Sequence, residues 1–239
     1  MALKSVVYKG EEFSISYTIS NPQAKKDFIV LHGWGSNKEL MSGSFSKELK
    51  SFRHIYIDMP GFGKSSCDIV LTTTDYADIL ELFFQEVGIK KDVILGHSFG
   101  GKVATLLEPE LLVLVASAGI VVPKPLSIKT KIILFKILKN LGLSKMRSLF
   151  VAEDAKQLSQ VMYETFKNVV DENFSKEFSS RKKKTLLFWG KDDTATPLNS
   201  AKIMDDLLEN STLKVYDGDH YFFMKNSKDI AEEIETHLA

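Results

Sequence analysis

Six short stretches of this chain are apolar with little or no alternation: "FIVLH" (28–32), "HIYID" (54–58), "VILG" (93–96), "LLVLVAS" (111–117), "TLLFWG" (185–190) and "TLKVYDG" (212–218). A strand with one wet face alternates apolar and polar side chains, so an unbroken run demands cover on both faces. Segments with helical spacing lie between the runs. "TTTDYADILELFFQEVG" (72–88) opens on threonines suited to an N-cap, carries an acid in its first turn and closes on Gly88. "TPLNSAKIMDDLLEN" (196–210) and "KNSKDIAEEIETHLA" (225–239) have capping residues and the same spacing. Strands alternating with helices predict an α/β fold: a mostly parallel central sheet with helices on both faces. Two alternating segments, "KSVVY" (4–8) and "EFSISYTI" (12–19), precede the first run, and the turn "KGEE" between them reads as a β-hairpin.

The alternation stops at 123 and resumes near 184. Residues 123–150 hold six lysines, one arginine and no acid, and "AEDAKQLSQVMYETFKNVVDENF" (152–174) is a mixed-charge helical pattern. This predicts an all-helical insertion, 123–183, within a core made of 1–122 and 184–239. In "PLSIKTKIILFKILKNLG" (125–142) the apolar positions run most of the way round a helix and the lysines form no clean face. That pattern fits a helix packed on several sides better than one lying on a membrane.

The formal net charge is zero, so no global field favours nucleic acid or a membrane surface. One cysteine, Cys67, allows no intramolecular disulfide and fits a reducing compartment. The start, "MALKSVVYKGEEFSIS", lacks the apolar core of a signal peptide, and the longest nearly unbroken apolar run, 111–122, is too short to span a bilayer. The expectation is a cytoplasmic protein acting on a small molecule.

"GHSFG" (96–100) stands where a strand hands over to a helix and matches G-x-S-x-G. In that turn a serine sits at the apex in a strained backbone conformation, and its neighbours must be small for strand and helix to crowd together. Ser98 is the candidate nucleophile. A serine needs a base, and the five histidines can be sorted by position. His54 lies in a strand, His237 in a last helical turn, His97 beside the serine and directed away from it, and His32 in a loop that it shapes. His220, in "VYDGDHYFF" just after the last strand, remains; a loop at the carboxyl end of a strand is where a base belongs in an open α/β sheet. An orienting carboxylate comes from "WGKDDTATP", where Asp192 and Asp193 point different ways and one reaches His220; the other role open to them is capping the next helix. Asp217 and Asp219 are too close in sequence to reach the histidine's Nδ1 well. The loop "LHGWGS" offers the backbone N–H of Trp34, which together with that of Phe99 could hold a developing oxyanion. "DMPGFGKSS" ends like a phosphate-binding loop, but the pattern needs glycine where Asp58 stands. No cofactor or metal is called for.

These pieces resemble the α/β-hydrolase family over nearly the whole chain, in family order: "HGWG" the oxyanion loop, "DMPGFGKS" the turn after the next strand, "GHSFGG" the nucleophile elbow, "LLFWGKDDTATP" the acid loop and "GDHYFF" the histidine loop. The resemblance implies the α/β-hydrolase fold, with the insertion as a cap over the site. The family's G-x-x-D spacing, counted from Gly190, implies Asp193 as the acid. Serine at 98 speaks against haloalkane dehalogenases and epoxide hydrolases, which use aspartate there. Two departures stand out: a short helix after Ser98, and Asp219 where the family has glycine. The function implied is hydrolysis of a small or medium carboxylic ester through an acyl-enzyme by Ser98, His220 and Asp193. A carbon–carbon bond hydrolase of 2-hydroxy-6-oxo-dienoates from ring cleavage would use the same three residues, and a non-catalytic ligand-binding protein on this fold would need none of them.

Overall fold

The protein's computed structural model describes residues 1–121 and 159–238. Eight strands form one sheet in the order β1-β2-β4-β3-β5-β6-β7-β8. They are β1 Ala2–Tyr8, β2 Glu11–Ser20, β3 Lys26–Leu31, β4 Phe52–Ile57, β5 Val93–His97, β6 Leu111–Val115, β7 Thr185–Gly190 and β8 Ser211–Tyr216. The β1–β2 and β2–β4 pairs are antiparallel and all others parallel. Every residue of β5 and of β6 is buried, which is why both read as unbroken apolar runs.

The period of two along each strand divides the core in two. Ile29, Leu31, Ile55, Ile57, Ile94 and Trp189 point to one side, against α2 (Thr73–Val87), α3 (Phe99–Leu106) and α6 (Leu198–Leu207). Phe28, Val30, Tyr56, Leu95, Val113 and Phe188 point to the other, against α1 (Lys38–Phe45) and α7 (Phe223–Thr236). At roughly 1.5–3 kcal/mol per fully buried large apolar side chain, these two layers are the main favourable contribution to folding.

The capping signals around α2 are real. Thr72 accepts from the Asp75 N–H, the Asp75 side chain accepts from the Thr72 N–H, and Gly88 closes the helix in the left-handed region at φ 68°. Helix α1 was not expected. It is capped by Asn37, whose side chain accepts from the Leu40 N–H, and its first residue, Lys38, is buried against Asp58 at 2.5 Å. The look-alike of a phosphate loop is therefore a turn wrapped round a buried carboxylate. Asp58 also accepts from the Lys64 N–H at 3.0 Å, so the Lys64 backbone, not a phosphate, occupies this turn.

Of the segment 123–183 expected as an insertion, residues 123–158, and with them the acid-free stretch, lie outside the described residues. The described part holds α4 (Gln160–Val169) and α5 (Ser175–Ser180) and packs on the core through Met162, Val169, Phe174 and Phe178. Polar ties fix it as well. The Leu71 N–H donates to Thr165 Oγ1 at 3.1 Å, and the buried Lys102 ammonium donates to the Val169 carbonyl and, at 3.0 Å, to Glu172. Lys102 thus satisfies a carbonyl left open at the C-terminus of α4. Among the described residues, no helix is long and apolar enough to cross a membrane.

Candidate active site

The carboxyl ends of the parallel strands lie along one edge of the sheet, and four loops meet there: 32–36 after β3, 98 after β5, 191–197 after β7 and 217–222 after β8. Ser98 has φ 51° and ψ −116°, a conformation that L side chains rarely adopt. The turn is held by backbone bonds: Ser98 N–H to the Val115 carbonyl at 3.1 Å, and Ala118 N–H to the Ser98 carbonyl at 3.0 Å. The flanking glycines are required by space. A Cβ on Gly96 would lie 2.4 Å from the Gly100 carbonyl oxygen, and one on Gly100 would lie 2.5 Å from that of His32. Both obstacles are backbone, which cannot swing aside. Ser98 is half-buried, and although it stands at the N-cap of α3 its hydroxyl caps nothing.

His220 Nδ1 lies 2.8 Å from Asp193 Oδ2. The other oxygen of Asp193 accepts from the N–H groups of Ala195 (2.8 Å) and Thr196 (2.9 Å), and the Thr196 hydroxyl lies 2.8 Å from Oδ2. Burial alone would raise the pKa of this carboxyl. The hydrogen bond and charge of His220, with the donors of Thr196, outweigh it and hold the group below the usual carboxylate range. Asp193 therefore both braces the turn ahead of α6 and meets the histidine. Asp192 is exposed and is tied in by its backbone, N–H to the Gly218 carbonyl at 2.9 Å. The Asp219 carboxylate is spent on the Tyr221 N–H at 2.9 Å, and Asp217 is fully in solvent near Lys191.

The 32–36 loop, expected to supply the oxyanion donors, lies against the turn at Ser98: a Cβ on Gly33 would come within 3.1 Å of the Ser98 Cβ. The Trp34 ring packs on Phe99 (centroids 5.4 Å), Phe62 (4.8 Å) and Phe166 of α4 (5.3 Å). Phe99 is the first residue of α3, so its N–H has no intrahelical acceptor. His32 shapes the loop. Its Nδ1–H donates to the Gly33 carbonyl at 2.7 Å while Nε2 accepts from the Met59 N–H at 3.1 Å, which fixes the tautomer. Burial lowers its pKa to about 4, so it stays neutral.

The other histidines are engaged elsewhere. His54 bonds Tyr56 and the Leu49 carbonyl, and His237 closes α7. Two neighbours of the site were not singled out from sequence. Thr196 touches Asp193 twice, and an Asp followed three residues later by Thr before a helix is the spacing of a local side-chain turn, a signal that was there to be read. His97 Nε2 lies 3.1 Å from the His220 carbonyl oxygen and its ring packs on His220 at 4.7 Å; nothing in the sequence marks this contact.

Buried carboxylates with depressed pKa values make stability pH-dependent. At Asp58 burial raises the pKa, but the Lys38 and Lys64 donors more than reverse this, and Asp193 behaves alike. Unfolded aspartates titrate near 4, so below that the unfolded chain binds protons that the folded one does not. The contribution is fully present above about pH 5 and is lost as pH falls. The urea midpoint should drop between about pH 6 and pH 3. Asp58→Asn should flatten that dependence while destabilising the protein at pH 6, since Lys38 loses its buried partner. An equal drop in the variant and the wild type would remove Asp58 from this account.

Comparison with known proteins adds the following. A family model described as the alpha/beta hydrolase family matches residues 28–233. The pimeloyl-(acyl-carrier protein) methyl ester esterase of Proteus mirabilis is 35% identical over 83 residues, 35% of this chain and 31% of that protein. The protein of the same name from Aliivibrio fischeri is 24% identical over 247 residues, 89% of this chain and 93% of the relative. The chain spans less than a third of the length of the first curated relatives it matches. Among solved structures, an esterase from Exiguobacterium antarcticum superposes with TM-score 0.74 at 20% identity, covering 94% of this chain and 95% of that one. A meta-cleavage product hydrolase from Pseudomonas fluorescens IP01 does so with TM-score 0.70 at 18% identity, covering 97% and 95%. At such identities the likeness is one of fold.

Proposed function

The chain belongs to the alpha/beta hydrolase family, and from that premise we propose that it hydrolyses small or medium carboxylic esters through an acyl-enzyme. The observation that carries this reading is the buried Asp193 carboxylate 2.8 Å from His220 Nδ1, at the sheet edge that also carries Ser98 held at φ 51°. A carboxylate on Nδ1 keeps the hydrogen there, which leaves the Nε2 lone pair to take a proton. Ser98 attacks the ester carbonyl as His220 removes its proton, and Asp193 stabilises the imidazolium that forms. The backbone N–H groups of Trp34 and Phe99 meet the charge that develops on the carbonyl oxygen. The imidazolium then protonates the departing alcohol. Water, deprotonated by the same histidine, releases the acid.

In this reading the segment 123–183 is a cap on a core of 1–122 and 184–239, and α4, packed on Trp34 through Phe166, forms part of the wall beside the oxyanion loop. Relatives named as methyl ester esterases favour ester cleavage. The test is a panel of p-nitrophenyl esters of increasing acyl length beside a 2-hydroxy-6-oxo-dienoate, with fluorophosphonate labelling of Ser98. Turnover of the esters with labelling is expected. Turnover of the dienoate alone would replace the reading with carbon–carbon bond hydrolysis, and no labelling at all would leave a binding protein.

A further inference from the structure

His97 is a buried titratable side chain that the mechanism above does not use. It is 1% exposed and sits between three parts of the site. It directly precedes Ser98. A Cβ on Gly33 of the oxyanion loop would fall 2.9 Å from its Nδ1. Its ring packs on those of His220 (4.7 Å), Tyr221 (5.5 Å) and Phe223 (4.8 Å).

We infer that His97 is a positioning residue for the base, holding the His220 backbone to the nucleophile elbow through its Nε2–H. This rests on the reading of Ser98 as nucleophile and His220 as base. The contact is 3.1 Å to the His220 carbonyl oxygen, and a carbonyl only accepts, so Nε2 carries the hydrogen. Nδ1 is then a lone pair. It is buried with no hydrogen-bond partner, facing Gly33, which a lone pair tolerates better than an N–H would. A charged ring would have to bury that second N–H unpaired. The titratable groups acting on it are His220, Asp193 and His32, and burial first, then the charge of His220, lowers its pKa to about 3. His97 therefore stays neutral when His220 gains its proton, and the tie persists through the reaction.

The consequence is geometric. Asp193 holds the His220 ring through Nδ1, and His97 holds the residue through its backbone carbonyl. The rest of this turn is held by local bonds, Tyr221 N–H to the Asp219 carboxylate and Phe222 N–H to the Asp219 carbonyl at 3.1 Å, and by the Asp192 N–H to the Gly218 carbonyl at 2.9 Å. His97 joins the His220 carbonyl across to β5. Losing that tie misplaces Nε2 relative to Ser98, a rate effect rather than a binding effect.

Three substitutions separate the hydrogen bond from the packing. His97→Gln can put an amide N–H where Nε2–H was. His97→Asn stops about one bond short, near the Nδ1 position, and His97→Phe keeps a ring without a donor. The rate of fluorophosphonate labelling and kcat on an ester should fall about ten- to a hundredfold for Phe and Asn with KM nearly unchanged. Gln should recover most of the rate, and the pH midpoint of labelling should stay where it is in the wild type. Equal rates for Gln and Asn, or a wild-type rate for Phe, would overturn the inference; if the Phe variant does not fold, the Gln–Asn comparison decides alone. Wild type and Ser98→Ala run beside them. An unlabelled wild type sinks the nucleophile reading itself. A labelled wild type, a silent Ser98→Ala and a fast His97→Phe sink only the role of His97.

Discussion

Ser98→Ala is expected to remove ester turnover while the protein stays folded. The fold should survive because the Ser98 hydroxyl caps no helix and the turn is held by backbone bonds to Val115 and Ala118, which alanine keeps. Alanine at φ 51° is no more strained than serine, since both carry a Cβ. Activity should not survive, because in the proposed mechanism Ser98 carries the acyl group. Loss of one member of such a triad costs on the order of 10⁴-fold or more in kcat, and what remains reflects binding and the oxyanion donors. The measurement is kcat on the best ester of the panel, with the thermal unfolding midpoint as the control for folding. A folded variant hydrolysing within about tenfold of the wild type would mean that Ser98 is not the nucleophile.

The inner strands β3 to β7 were legible because they are buried on both faces; the edge strand β8 has no fully buried residue, so the expectation of cover on both faces fails there, where the sheet ends. β7 could be read to the residue from "TLLFWG", and α2 from its threonine cap and closing glycine. Helix α1 was not. "KELMSGSF" carries glycine and two serines, and it opens on a lysine that composition assigns to the surface. That lysine is buried because Asp58, twenty residues on and in another loop, supplies its counter-charge. A pairing across loops leaves no trace in local periodicity.

The same division holds at the site. Motif spacing locates Ser98 and His220 at strand ends, because a tight turn and a strand end are local features. The choice between Asp192 and Asp193 needed the family's spacing from Gly190, and in the structure it is Asp193 that meets His220. The tie from His97 to the His220 carbonyl joins residues 123 positions apart, and an orphaned Nδ1 is visible only once the packing is known.

Asp193→Asn should be the second most damaging substitution, and the structure says why an amide fails where it fits. The retained carbonyl oxygen can still accept from the Ala195 and Thr196 N–H groups, so the turn should keep its shape. The amide NH₂ would then face His220 Nδ1 and donate to it. That forces the hydrogen to Nε2 and leaves no lone pair there to receive the serine proton. A fall of about 10²- to 10⁴-fold in kcat is expected, with a modest drop in the unfolding midpoint near neutral pH, where the Asp193 charge contributes to stability. Asp192→Asn should stay within about twofold, because that side chain is exposed and the residue is held by its backbone bond to Gly218. Asp219 is the only neighbouring carboxylate that precedes His220 directly, yet it is exposed and bonded to the Tyr221 N–H, so it cannot stand in. Asp193→Asn combined with Asp219→Asn should therefore be no slower than Asp193→Asn alone. A double variant slower by tenfold would show Asp219 taking over part of the role. A crippled Asp192→Asn beside a nearly normal Asp193→Asn would mean that the carboxylate serving the base is not the one 2.8 Å from its ring.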